Sequence, residues 1–141
     1  MKLIFFILSA IFLLNREVNA SELIIKDCSN VYSSGKSEFD KRRFANYYFK
    51  VDPIKKTITE VWSYSDKHFE EVVNKIPGIQ KNNIINYRLL FIDNNFATGE
   101  VISTTKGYAH EITIDIKKYY VEKNIMLDFK RSTEIPMQCK K

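Results

Sequence analysis

Short strands dominate the pattern of apolar and polar residues along this chain. Alternation with a period of two predicts a strand with one buried face. It is clearest at 108–116, where His110 and three isoleucines share one face and polar residues occupy the other. Similar runs recur with turn residues between them, and they predict strands at 23–25, 43–52, 57–64, 84–93, 96–105, 108–116, 119–123, 125–130 and 133–140.

The spacing of these runs favours an antiparallel meander. Asp52-Pro53 and the residues that follow supply a turn between 43–52 and 57–64, so this pair is predicted to form a β-hairpin. A parallel sheet would need a crossover helix between successive strands, whereas one helical segment is predicted in the part of the chain that carries the strands. We therefore expect a mainly β fold of about eight short strands, as a barrel or a sandwich, with one short amphipathic helix.

That helix is predicted at 65–76, where the period changes from two to that of a helix. Ser65 is suited to cap its N-terminus, and Pro77-Gly78 ends it. Its apolar face is formed at i, i+3, i+4 and i+7 by Phe69, Val72, Val73 and Ile76.

The first twenty residues have the composition of a secretory signal peptide. Lys2 precedes an apolar run, and the small residues Val18 and Ala20 stand at the −3 and −1 positions of a cleavage site. We expect residues 1–20 to be removed and residues 21–141 to form a single β-rich domain. The protein would then be exported, to the periplasm or outside the cell, with no transmembrane segment in the mature chain.

Two cysteines, Cys28 and Cys139, lie near the two ends of the predicted mature chain. An even cysteine count in an exported protein predicts disulfides, and two cysteines allow one pairing. Because a disulfide needs Cα atoms within about 7 Å of each other, the first and last strands are expected to lie side by side. A barrel that closes on itself brings its ends together in this way.

The charge of the chain does not indicate a nucleic-acid partner. The net charge is +5, but the basic residues are scattered among acidic ones, and the densest basic run, Lys41 to Arg43, directly follows Asp40. Nucleic-acid binding is typical of basic residues gathered on one face. We expect no nucleic acid as a partner and a monomeric protein.

Catalytic motifs are missing from the sequence. There is no G-x-S-x-G, no phosphate-binding glycine loop and no metal-binding H-x-x-x-H, and the two histidines, His68 and His110, are far apart in sequence. We expect no metal and no cofactor. One enzymatic alternative stays open, a small envelope hydrolase that uses His110 with a carboxylate.

Aromatic residues are the candidates for ligand contact. They make up 13% of the chain, and several fall on predicted strands. They are expected either to face a ligand or to fill the core, as aromatics in strands commonly do. The candidate ligand-facing residues are Tyr47, Phe49, Trp62, Tyr64 and Tyr87.

The layout is similar to that of lipocalins in its length, predicted export and pair of terminal cysteines. The G-x-W motif near the first strand is missing, and the single tryptophan, Trp62, follows the first predicted hairpin instead. The sequence therefore predicts a lipocalin-like layout without family membership. The expected function is a non-catalytic exported binding module for a protein partner or a small ligand of the cell envelope. A structural envelope component is the remaining alternative.

Overall fold

The computed structural model describes residues 21–31, 41–102, 109–127 and 130–141. The predicted signal peptide at 1–20 and its cleavage site lie outside these ranges. Most of the connection predicted between the first two strands, at 32–40, lies outside them as well.

Eight antiparallel strands form a closed barrel in which every strand pairs with its neighbours in sequence. The predicted mainly β meander is confirmed, and of the two predicted architectures the barrel is the one formed. The predicted runs 119–123 and 125–130 fall largely within one strand. The strands are β1 Leu23–Asn30, β2 Phe44–Asp52, β3 Thr57–Tyr64, β4 Asn82–Ile92, β5 Phe96–Ile102, β6 Ala109–Asp115, β7 Tyr120–Leu127 and β8 Lys130–Lys140.

The barrel closes where β1 pairs with β8. Cys28 and Cys139, the pair predicted from the sequence, form a disulfide with their Cα atoms 4.0 Å apart. The register of β1 shifts between Lys26 and Ser29, and Asp27 within this bulge has a φ of 50°. Because a bulge shifts the alternation by one residue, both Ile25 and Cys28 are buried in the core.

The two ends of the barrel differ in what connects the strands. At one end, called the turn end, short connections join β2 to β3, β4 to β5 and β6 to β7. Each of these turns begins with an aspartate whose Oδ1 accepts hydrogen bonds from the backbone N–H groups two and three residues later. These aspartates are Asp52, Asp93 and Asp115.

At the opposite end, called the helix end, one helix α1 (Asp66–Glu71) and a 3-10 turn at Val73–Lys75 connect β3 to β4. The predicted N-cap is present, since Ser65 Oγ accepts a hydrogen bond from the backbone N–H of His68. The helix is shorter than predicted because Val72 leaves helical geometry, at φ −125° and ψ −60°.

This early end of α1 separates the residues of the predicted apolar face. Val73 is buried, but Val72 and Ile76 are each 48% exposed. The predicted packing through all four apolar residues is therefore wrong for these two. The i, i+7 spacing places residues on one face only if the helix continues through all of them. Within the described ranges, no helix has the length and hydropathy needed to cross a membrane.

Gly99 on β5 is needed for close packing of the barrel wall. A Cβ at this position would lie 3.0 Å from the carbonyl oxygen of Arg88 and 3.1 Å from Cδ1 of Ile58. A glycine inside this strand therefore marks a close approach of backbone and core.

A candidate functional site inside the barrel

A carboxylate lies at the centre of the barrel interior. Glu60 on β3 is fully buried, with 0% of its surface exposed. Its inward position follows from strand alternation, because Glu60 lies two residues after the core residue Ile58 and two before Trp62, which packs against the core.

Three side chains from three other strands bind this carboxylate. Lys123 Nζ on β7 lies 2.6 Å from Glu60 Oε1, and the hydroxyl of Tyr87 on β4 donates to Oε2 at 2.6 Å. The hydroxyl of Tyr47 on β2 donates to Oε1, and Lys123 Nζ also donates to that hydroxyl at 3.5 Å. These four residues, called the Glu60 cluster, span the barrel, since β3 and β7 are four strands apart in the closed order.

Each buried charge of the Glu60 cluster has a partner of opposite charge or a hydrogen bond. A buried carboxylate is tolerated when it is paired and hydrogen-bonded, and Glu60 has both an ammonium and two phenol donors. Even so, desolvation of two charges offsets most of their attraction, and well-packed apolar side chains at such positions often stabilise a fold equally or better. Stability alone therefore does not account for an ion pair in the middle of this barrel.

Burial and the carboxylate keep Tyr47 protonated. Desolvation is the main reason that the pKa of Tyr47 lies well above its usual value, and the charge of Glu60 and the hydrogen bond to it raise it further. The phenol therefore remains a donor to Glu60 at neutral and moderately alkaline pH.

The charges of Lys123 and Glu60 also act on His110, which lies on β6. Its pKa is lowered first by burial and then by the ammonium of Lys123, while Glu60 partly opposes the shift. A neutral imidazole is therefore the form present at neutral pH. The sequence singled out this histidine on an apolar strand face, and the structure places it in the barrel wall next to the Glu60 cluster.

The predicted ligand-facing aromatics form one connected group. Tyr47 stacks on Trp62 with ring centroids 5.8 Å apart and contacts Phe49 at 5.9 Å. Phe44 links Tyr47 to Tyr64, at 5.2 Å and 5.5 Å. Tyr87 joins this group through its hydrogen bond to Glu60.

These aromatics differ in how accessible they are. Phe49 and Tyr87 are buried in the core, and Tyr47 is nearly so. Trp62 and Tyr64 lie towards the helix end and are half-buried. Lys123 Nζ lies 6.0 Å from the centre of the Trp62 ring. Trp62 is thus the predicted aromatic that joins the charged cluster to the more accessible end of the interior.

Sequence reasoning missed Glu60 and Lys123. The signal that could have identified them is their position in the inward–outward alternation of each strand. Glu60 shares the inward face of β3 with Ile58 and Trp62, and Lys123 follows the core residue Val121 by two. A charged residue at an inward position of a strand predicts a partner inside the barrel, but the sequence does not say which strand supplies it.

Within the described ranges, no group of three or more His, Cys, Asp or Glu residues is arranged to hold a metal ion. No protein-family model matches the chain, and neither does a curated protein or a solved structure. The function must therefore be argued from the barrel interior itself.

Proposed function

We propose that residues 21–141 form an exported, monomeric and non-catalytic binding module whose barrel interior holds a small ligand. The observation that carries this proposal is the Glu60 cluster lying against half-buried Trp62. Ligand sites combine a mostly apolar lining with a few precisely placed polar groups, and this interior has both. The disulfide is compatible with an oxidising, exported location.

Lys123 defines the chemistry of the expected ligand. An ammonium has three N–H donors, and among the described residues Glu60 Oε1 and the Tyr47 hydroxyl are its two hydrogen-bond acceptors. A third donor therefore remains for an acceptor oxygen of a ligand, while the Trp62 ring offers a flat apolar face. The proposed ligand has an acidic or strongly accepting group attached to an aromatic or apolar body.

A hydrolase that uses His110 is less well supported by the same geometry. Glu60 is the carboxylate whose charge acts on His110. Both oxygens of Glu60, however, accept hydrogen bonds from the tyrosines and Lys123. Such a carboxylate would have to leave its partners to orient a catalytic imidazole.

Trp62 allows a direct test, because it is the single tryptophan of the chain. The oxidised domain is titrated with 1-anilinonaphthalene-8-sulfonate, a probe with an acidic group on an aromatic body. We expect saturable quenching of Trp62 emission. The variant Lys123→Met/Glu60→Gln, which removes both charges together, should weaken binding about tenfold or more, as expected for loss of a charged hydrogen bond.

The matched control is Lys26→Met, which removes an exposed lysine of β1 that is not part of the Glu60 cluster. It should bind the probe as the unaltered domain does. Thermal unfolding of each variant verifies that it is folded. Equal quenching in the double variant, or none in the unaltered domain, would refute a ligand site at Lys123. Native mass spectrometry of protein purified from its own host then identifies any ligand that is carried along.

A further inference from the structure

The turn end of the barrel exposes several large apolar side chains at its rim. Ile54, in the turn between β2 and β3, is 84% exposed, and Leu90, Phe91 and Phe96 are also exposed. The register of β4 shifts between Leu89 and Phe91. This bulge leaves two consecutive apolar residues, Leu90 and Phe91, exposed together.

Hydrogen bonds hold these residues in one contiguous region. The backbone N–H of Leu89 donates to the carbonyl of Lys56, which fixes the β2–β3 turn against the end of β4. Phe91 is directly opposite Thr98, and Phe96 lies two residues before Thr98 on β5. Single exposed apolar residues are common on proteins, whereas a cluster of them marks an interaction surface.

Lysines surround this apolar rim. Lys55 and Lys56 follow Ile54 in its turn, and Lys117 and Lys118 lie in the β6–β7 turn. That turn is joined to the β4–β5 turn by the hydrogen bond from the N–H of Ile116 to the carbonyl of Asn95. Gln138 Nε2 on β8 donates to the carbonyl of Lys118, which adds the last strand to the same region.

Two of the three turn-end aspartates are much less exposed than the lysines beside them. Asp52 and Asp115 have only 11% and 15% of their side chains exposed, against 74% for Lys55 and 79% for Lys118. The nearest distances in these two pairs are 4.0 Å and 3.7 Å. Hydrogen bonds from the backbone of Phe96 and Asn95 lower the pKa of Asp93. Asp52 and Asp115 are thus turned to their own backbone beside exposed lysines, whereas Asp93 is exposed and interacts electrostatically with Lys117.

The helix end provides an internal comparison. It also exposes apolar residues, among them Val72, Ile76 and Ile84. There, however, the exposed carboxylates of Asp66, Glu70 and Glu71 stand among the lysines, and Lys81 is bonded to Asp66. Exposed apolar and basic residues are therefore common to both ends, since Lys41, Arg42 and Arg43 before β2 are exposed at the helix end. The turn end is distinguished by two largely buried aspartates, Asp52 and Asp115, beside its exposed lysines.

We propose that the turn-end surface, formed by Ile54, Leu90, Phe91 and Phe96 with Lys55, Lys56, Lys117 and Lys118, binds the surface of an anionic phospholipid bilayer. Apolar side chains at a rim insert into the headgroup boundary, while lysines are attracted by anionic headgroups. The charge complementarity of this end favours a lipid surface over an apolar protein partner. The site lies at the opposite end from Trp62, so this inference does not depend on the proposed ligand.

Vesicle flotation tests the proposal with the oxidised domain, residues 21–141. Vesicles of phosphatidylcholine alone are compared with vesicles that contain about 30% phosphatidylglycerol. We expect binding to the anionic vesicles only, weakened as salt is raised from about 0.1 M to 0.5 M. Two variants should each reduce the binding constant about tenfold or more: Ile54→Ser/Phe91→Ser/Phe96→Ser, and Lys55→Gln/Lys56→Gln/Lys117→Gln/Lys118→Gln.

The matched control alters the helix end in the same way, as Val72→Ser/Ile76→Ser/Ile84→Ser. Because all substituted side chains are exposed, each variant should keep the thermal unfolding midpoint of the unaltered domain within a few degrees. Binding that is equal in all variants, or lost equally in the helix-end control, overturns the proposal. So does failure of the unaltered domain to bind anionic vesicles. Concentration-dependent dimerisation abolished by the turn-end serines, without lipid binding, would instead assign the surface to a second copy of the chain.

Discussion

The two halves of the barrel interior are filled by different kinds of side chain, although the same strands contribute to both halves. Towards the turn end the interior is apolar, with Val51, Ile58 and Ile114 fully buried. From the middle of the barrel towards the helix end, the same strands contribute Tyr47, Glu60 and His110. The apolar half gains its stability from burial that has no directional requirement. The polar half depends on a specific set of hydrogen bonds, so the two halves should respond differently to substitution.

The largest expected effect is the loss of one charge from the Glu60 cluster. Lys123→Met leaves the buried carboxylate without its ammonium, which should lower the free energy of unfolding by about 3–5 kcal/mol. Urea denaturation at neutral pH measures this change.

Replacing all four residues of the Glu60 cluster by apolar side chains should not lower stability in the way that losing one charge does. The variant Tyr47→Phe/Glu60→Leu/Tyr87→Phe/Lys123→Met removes the two charges and the two phenol hydroxyls of the cluster together, and it is expected to recover most of that loss or to exceed the original stability. A combined variant as unstable as the single one would show that the cluster contributes net stability, and it would weaken the argument for a functional role.

A substitution in the apolar half should affect stability and leave the proposed ligand site unchanged. Ile114→Ala removes fully buried methyl groups and should cost about 2–5 kcal/mol, depending on how far the site relaxes. Binding of the naphthalene sulfonate probe, followed by Trp62 emission, should stay within about twofold of the unaltered domain. A parallel loss of probe affinity would contradict the separation of the two halves.

The covalent closure of the barrel should have a slightly smaller effect. Replacement of both Cys28 and Cys139 by serine removes a link between residues 111 positions apart, and such links typically contribute about 2–4 kcal/mol. The β signal in circular dichroism should persist at moderate temperature, because the ladder between β1 and β8 remains. Loss of the folded barrel at ordinary temperature would show that this ladder does not form without the disulfide.

The apolar half is the part that the sequence could predict. Strand alternation through 108–116 and 57–64 locates inward and outward residues without knowledge of the neighbours, since the side-chain period is fixed by strand geometry. The two cysteines then indicated which strands meet. These local and covalent signals together left a barrel and a sandwich open, and the pairing of β1 with β8 shows that the barrel is formed.

The polar half could be predicted only in part. His110 and the aromatics were identified, since they lie on apolar faces, but Glu60 and Lys123 are 63 positions apart and meet across the barrel. Their pairing depends on closure, on the register of several strands and on side-chain reach, none of which is local. The helix itself was predicted, but its C-terminal end was predicted wrongly, because Val72 leaves helical geometry although the apolar spacing continues.

The smallest expected effect concerns the charge of His110. Burial and Lys123 lower its pKa in the folded protein below the value of the unfolded chain, which is about 6.5. Between these two pKa values the unfolded chain binds a proton that the folded chain does not, so acid favours unfolding. Stability should therefore fall as the pH decreases below about 6.5, and His110→Gln should reduce this dependence. Urea denaturation midpoints measured between about pH 7.5 and pH 5.5 give the slope of stability against pH for the unaltered domain and for His110→Gln. His68→Gln is the matched control, and it is expected to keep the slope of the unaltered domain. If His110→Gln retains the full slope, protonation near the Glu60 cluster does not distinguish the polar half from the apolar one.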